Sequence, residues 1–126
     1  MSLQSPLARV LGYGSAKDGV HHWWVQRLTS IALVPLAVWF VVALLTLPLH
    51  DRASVAAWVA RGWTPLLLIV LIIVATWHSR LGVQVVVEDY VPSAGTKTFV
   101  LILSSFAHFF VAAAAIFAVL KISLGS

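Results

Sequence analysis

The stretch that decides the fold is residues 62–90, GWTPLLLIVLIIVATWHSRLGVQVVVEDY. It is apolar up to Trp77, carries His78 and Arg80, and returns to a mainly apolar run over 81–87. A helix ending at Ser79 would leave that second run in a loop. A strand through Val85, Val86 and Val87 would leave its backbone groups unpaired in lipid, where only helices and closed barrels satisfy them. One long helix from about Thr64 to about Asp89 meets both constraints. Pro92, Ser93 and Gly95 supply the stop, because proline cannot continue a helix and glycine ends one cheaply.

Charge-free windows extend the reading outward. Residues 28–49 hold 22 positions without an ionisable side chain, and residues 98–120 hold 23, interrupted only by His108. About 20 apolar residues at about 1.5 Å each span a hydrocarbon core about 30 Å thick. Pro35 lies inside the first window and predicts a kink, since neighbouring helices can satisfy the carbonyl it frees. The expected architecture is an all-α membrane protein of one domain, residues 1–126. Its three transmembrane helices lie at about 24–49, 62–89 and 97–121.

Composition excludes the other broad classes. The 126 residues are 61% hydrophobic and 10% charged, with a mean hydropathy of +1.00. A soluble domain is about 25% charged, so neither a water-soluble globule nor a disordered tail fits. The net charge of +4 is too small and too scattered for a nucleic-acid patch. The chain has no cysteine, which removes disulfides, thiolate catalysis and iron–sulfur ligation.

The basic residues serve as a topology signal. Arg9, Lys17, Arg27, Arg80 and Lys97 fall on one side, and Arg52, Arg61 and Lys121 on the other. That asymmetry predicts the N-terminus inside and the C-terminus outside. Trp23 and Trp24 on one side, and Trp58 and Trp63 on the other, form the expected interfacial belts. The N-terminal segment has neither a cleavable-signal pattern nor a transit-peptide composition, so a bacterial inner (plasma) membrane is expected ahead of a mitochondrial inner membrane.

Ionisable groups at membrane depth are functional candidates because burying them is costly. His78 lies about 18 Å along its helix from Tyr90. It reads either as a haem ligand or as a histidine hydrogen-bonded to a neighbouring helix. His78, Gly82, Val85 and Asp89 share one stripe, Asp89 lying about 20° round from His78. Gly82 reads as room for a flat ring or as helix packing. Asp89 and Tyr90 close the helix, where a phenol can donate to a carbonyl oxygen and a carboxylate can orient it; the acids equally suit a solvated face. His21 and Arg27 could hold acidic ring substituents, or Arg27 could serve as a positive-inside anchor. His108 is a rival ligand, and Arg80 has three possible partners: the interface, Glu88, or an acid of another subunit.

Gly19-Val20-His21, then Arg27-Leu28-Thr29-Ser30, then His78-x3-Gly82-x5-Glu88-Asp89-Tyr90-Val91 resemble the small hydrophobic membrane anchor of succinate dehydrogenase (complex II) over residues 15–121. The His-x3-Gly-x6-Asp-Tyr pattern is the most specific part. The resemblance implies a three-helix anchor of succinate:ubiquinone oxidoreductase, paired with a second, cytochrome b type anchor and carrying an iron–sulfur subunit and a flavoprotein subunit. His78 then matches an axial ligand of haem b, shared with the partner anchor. His21 and Arg27 match positions near the haem propionates, and Tyr90 and Asp89 match the ubiquinone site. Arg80 and His108 lie outside the pattern. A fumarate reductase anchor, a stand-alone cytochrome ligated by His78 and His108, and a non-redox assembly protein are the other readings.

Overall fold

The computed structural model describes residues 16–125, with side chains from residue 19. The expected charge contributions of Arg9 and of the Lys17 side chain lie outside the described residues. Four helices make up the described chain: α1 (Ala16–Thr46), α2 (Arg52–Val59), α3 (Thr64–Tyr90) and α4 (Ala94–Ser123). Among the described residues there is no strand. The protein is all-α, and three of its helices, α1 from Gly19, α3 and α4, are long and apolar enough to cross a membrane.

Local chemistry explains where each helix ends. α1 runs unbroken through Pro35 and stops at Thr46, just ahead of Leu47 and Pro48. A residue that precedes proline is pushed out of the helical region. The short helix α2 is capped by Asp51, whose carboxylate accepts from the N–H groups of Ala53 at 3.2 Å and Ser54 at 3.0 Å. The Ser54 hydroxyl donates to the same carboxylate. Together these donors hold the Asp51 carboxyl below its ordinary range, the Ser54 hydroxyl acting most strongly. Gly62, at φ +53°, makes the turn between α2 and α3 that an L-side chain would resist. Pro65 opens α3, where its missing N–H costs nothing.

α3 crosses His78 and Arg80 without a break and ends at Tyr90, with Val91 extended ahead of Pro92. Its 27 residues reach about 40 Å at the helical rise. α1 and α4 each pack along α3, and the backbones of α1 and α4 do not approach each other closely among the described residues. α3 is therefore the middle of an open arrangement. α2 lies against α3 and α4 at the opposite end from Tyr90.

The best-buried cluster sits at that α2 end. Val59, Leu68 and Val119 form it, with Trp39, Phe40, Trp58, Ile69 and Ile72 packed around them. The Trp39 and Trp58 rings stack 5.7 Å apart, so Trp58 packs on α1 while Trp63 remains 77% exposed. Elsewhere the surface is strongly apolar, including Ile31, Leu45, Phe106, Phe109 and Phe117. In lipid such exposure needs no compensation, because the surrounding tails are as apolar as the side chains.

Candidate functional site

The α1–α3 seam is where the expected stripe meets a neighbour. Thr29 on α1 lies with its Oγ1 3.0 Å from Nδ1 of His78. The same hydroxyl lies 2.8 Å from the Val25 carbonyl and 3.0 Å from the Gln26 carbonyl. One turn along α3, a Cβ built on Gly82 would lie 4.0 Å from Nε2 of Gln26. That is ordinary van der Waals contact. Gly82 therefore faces α1 without forcing a close backbone approach.

His22, Gln26 and Thr29 follow i, i+4, i+7 and form one polar stripe on α1. His22 Nε2 and Gln26 Oε1 are enclosed and have no hydrogen-bond partner among the described residues. Sequence reasoning passed over this stripe, although its spacing on an otherwise apolar helix is a readable signal. Of the adjacent histidines, His22 is half-buried and His21 is exposed. Arg27 is also exposed, its guanidinium lying 5.3 Å from the Trp23 ring centroid. No hydrogen bond or ion pair joins His21 to Arg27 among the described residues. Six positions of separation place them about 120° apart round the helix.

At its C-terminal end, α3 presents Asp89 and Tyr90 outward, Tyr90 being 80% exposed. Neither has a partner among the described residues. Glu88 is instead the engaged acid: its Oε1 accepts from Gln84 Nε2 at 2.8 Å, and its backbone carbonyl accepts from Lys97 Nζ at 2.9 Å. The solvated-face reading therefore suits Glu88, while the Asp89 and Tyr90 side chains stand exposed beside it.

The α3–α4 seam accounts for the two residues outside the pattern. His108 Nδ1 lies 2.7 Å from the Ser104 carbonyl, which can only accept, so Nδ1 carries the proton. Nε2 then accepts from the Ser79 hydroxyl at 3.1 Å. Both ring nitrogens are used within the chain, and no lone pair is left for a metal. Arg80 Nε donates to Ser105 Oγ at 3.2 Å. Arg80, Gln84, Ser104 and Ser105 line a small polar cavity of ≈ 190 Å³ that gives the guanidinium polar surroundings. Among the described residues no group of three or more His, Cys, Asp or Glu comes together as a metal site. His78 stands apart from any other His, Cys, Asp or Glu cluster among the described residues.

Comparison with known proteins places this geometry in context. Residues 1–119 match the family model described as succinate dehydrogenase/fumarate reductase transmembrane subunit. The succinate dehydrogenase hydrophobic membrane anchor subunit of Rickettsia conorii is 32% identical over 89 residues, covering 70% of this chain and 71% of that protein. The subunit of the same name from Rickettsia bellii is 33% identical over 88 residues, 70% of each. That of Paracoccus denitrificans is 26% identical over 122 residues, 97% of this chain and 94% of the relative. No solved structure matches the chain.

Proposed function

Because the chain belongs to the succinate dehydrogenase/fumarate reductase transmembrane subunit family, we propose that it anchors a succinate:ubiquinone oxidoreductase in the membrane and supplies part of its haem b and ubiquinone sites. The observation that carries this reading is the pairing of two unsaturated groups on one helix. His78 has an Nε2 with no partner among the described residues, and about 18 Å along the helix the Tyr90 hydroxyl is 80% exposed and unengaged.

Each residue has a distinct task. His78 Nε2 would offer a neutral imidazole lone pair to the haem iron, with a second ligand coming from a second anchor subunit. Haem b, when bound there, supplies a one-electron store within the membrane. His21 and Arg27 at the same end of α1 would hold the acidic ring substituents, Arg27 through its forked donors. The Tyr90 hydroxyl donates to a ubiquinone carbonyl, and Asp89 beside it orients that phenol and passes protons. Two electrons from an iron–sulfur subunit and two protons from the aqueous side convert ubiquinone to ubiquinol. Succinate oxidation belongs to the flavoprotein subunit.

The names of the relatives favour succinate dehydrogenase over the fumarate reductase variant. His108, whose nitrogens are both engaged, disfavours a stand-alone cytochrome ligated by His78 and His108. An N-terminus-inside orientation in a bacterial inner membrane puts Tyr90 on the cytoplasmic side, where the soluble subunits would dock. The test uses the assembled complex. Tyr90→Phe is expected to impair ubiquinone reduction while sparing succinate oxidation by a soluble artificial acceptor, and His78→Ala to alter or abolish the low-spin haem spectrum. Equal loss of both activities in the first variant, or an unchanged spectrum in the second, refutes the corresponding assignment.

A further inference from the structure

Thr29 is set apart from the other threonines by its partners. Thr46, Thr76 and Thr98 each donate to carbonyls of their own helix and reach no further. Such back-bonding is the ordinary way a membrane helix satisfies a threonine. Thr29 makes that bond too, to the Val25 carbonyl at 2.8 Å, and in addition meets Nδ1 of His78 on another helix at 3.0 Å.

Proton counting ties the direction of that second contact to the back-bond, the shorter of the two. The Thr29 hydroxyl has one proton, and carbonyl oxygens can only accept. With the proton given to Val25, the oxygen turns a lone pair toward His78, and Nδ1 must be the donor. A hydroxyl that is already donating is a stronger acceptor than an isolated one, because linked hydrogen bonds polarise each other. In that arrangement the imidazole has its proton on Nδ1 and its lone pair on Nε2.

We propose that Thr29 is a positioning residue that selects this tautomer of His78, fixes its ring against α1, and raises the donor strength of Nε2. The proposal rests on His78 being a haem ligand. A bond that draws on Nδ1–H makes Nε2 the more basic donor, and outer hydrogen bonds of this kind commonly tune a bound metal. A more basic ligand favours the ferric over the ferrous state.

The test compares Thr29→Val, which keeps the branched shape and removes the acceptor, with Thr29→Ser, which keeps the hydroxyl. Thr76→Val is the matched control for losing a bond made only within one helix. Each is measured as the assembled complex in mild detergent, by haem content, low-spin EPR g values and haem midpoint potential. Thr29→Val is expected to move the g values and to shift the ferric-to-ferrous equilibrium several-fold toward ferrous. A full tenfold change corresponds to about 59 mV for one electron. Thr29→Ser and Thr76→Val should track the unmodified complex. An unchanged potential in haem-loaded Thr29→Val overturns the proposal, as does an equal shift in Thr29→Ser. If Thr29→Val does not assemble, Thr29→Ala carries the same comparison. His78→Ala separates the two levels of failure: an unchanged haem spectrum there removes the ligand reading itself. A changed spectrum there, with Thr29→Val silent, removes only the role of Thr29.

Discussion

Replacing His108 with leucine is expected to weaken the α3–α4 seam by about 0.6 to 1 kcal/mol while leaving haem content unchanged. The magnitude follows from which bonds the ring makes and what happens to their other ends. The contact with the Ser104 carbonyl at 2.7 Å is local, and that carbonyl keeps its place in the helical ladder. The contact with Ser79 at 3.1 Å is the one that crosses between helices. Such bonds in membrane proteins average about 0.6 kcal/mol and reach about 1.7. The low end applies because the released Ser79 hydroxyl can turn to the carbonyl four residues back on its own helix. Leucine is close to histidine in volume, so little cavity cost is added. Denaturant-driven dissociation of the purified complex measures the loss, and a double-mutant cycle with Ser79→Ala isolates the cross-helix bond at about 0.6 kcal/mol. Loss of haem from His108→Leu with stability unaltered would refute the assignment of both nitrogens to the seam. A coupling energy of zero would refute the Ser79 contact.

Three further outcomes test other parts of the chain. Gly82→Ala should assemble normally and gain about 0.5–1 kcal/mol of helix stability, since the added methyl meets only Gln26 Nε2 at 4.0 Å; failure of the haem-free subunit pair to form would show that α1 sits closer. Leu68→Ala, at a position 7% exposed between Val59 and Val119, should cost about 2–3 kcal/mol in denaturant titration; a loss below about 0.5 kcal/mol would mean the cluster is not packed. Because Asp51 titrates below its ordinary range, its cap is intact above the unfolded carboxyl value of about 3.9 and is lost as pH falls through the lower folded one. Amide exchange in α2 should therefore accelerate only in acid, and Asp51→Asn, which still caps, should abolish that transition.

The extent of α3 was legible because lipid leaves a backbone so few options. Once residues 81–87 had to be helical, Pro92 was the first stop available, and the helix does end at Tyr90. The short helix α2 was not anticipated, although Asp51 three residues ahead of Ser54 is a capping arrangement. Its eight residues have too little periodicity to stand out. The seam contacts were illegible for a different reason. Whether His21 or His22 turns inward, and whether Thr29 reaches His78, depends on how two apolar helices rotate against each other, and nearly uniform apolar surfaces carry no mark of that rotation. Trp58 was read as an interfacial anchor, yet it stacks on Trp39, because an indole at a helix end can serve either face.

His78 and Ser79 are consecutive residues, and each is tied to a different neighbour, Thr29 on α1 and His108 on α4. Their directions differ by about 100° round the axis. The two bonds act as a torsional lock on α3. With side-chain atoms about 6 Å from the helix axis, a turn of about 30° would carry the His78 ring and the Ser79 hydroxyl about 3 Å sideways. That displacement is enough to break one of these hydrogen bonds. The azimuth of every group on α3, from His78 to Tyr90, is thus set by two hydroxyl–imidazole contacts at a single level of the helix.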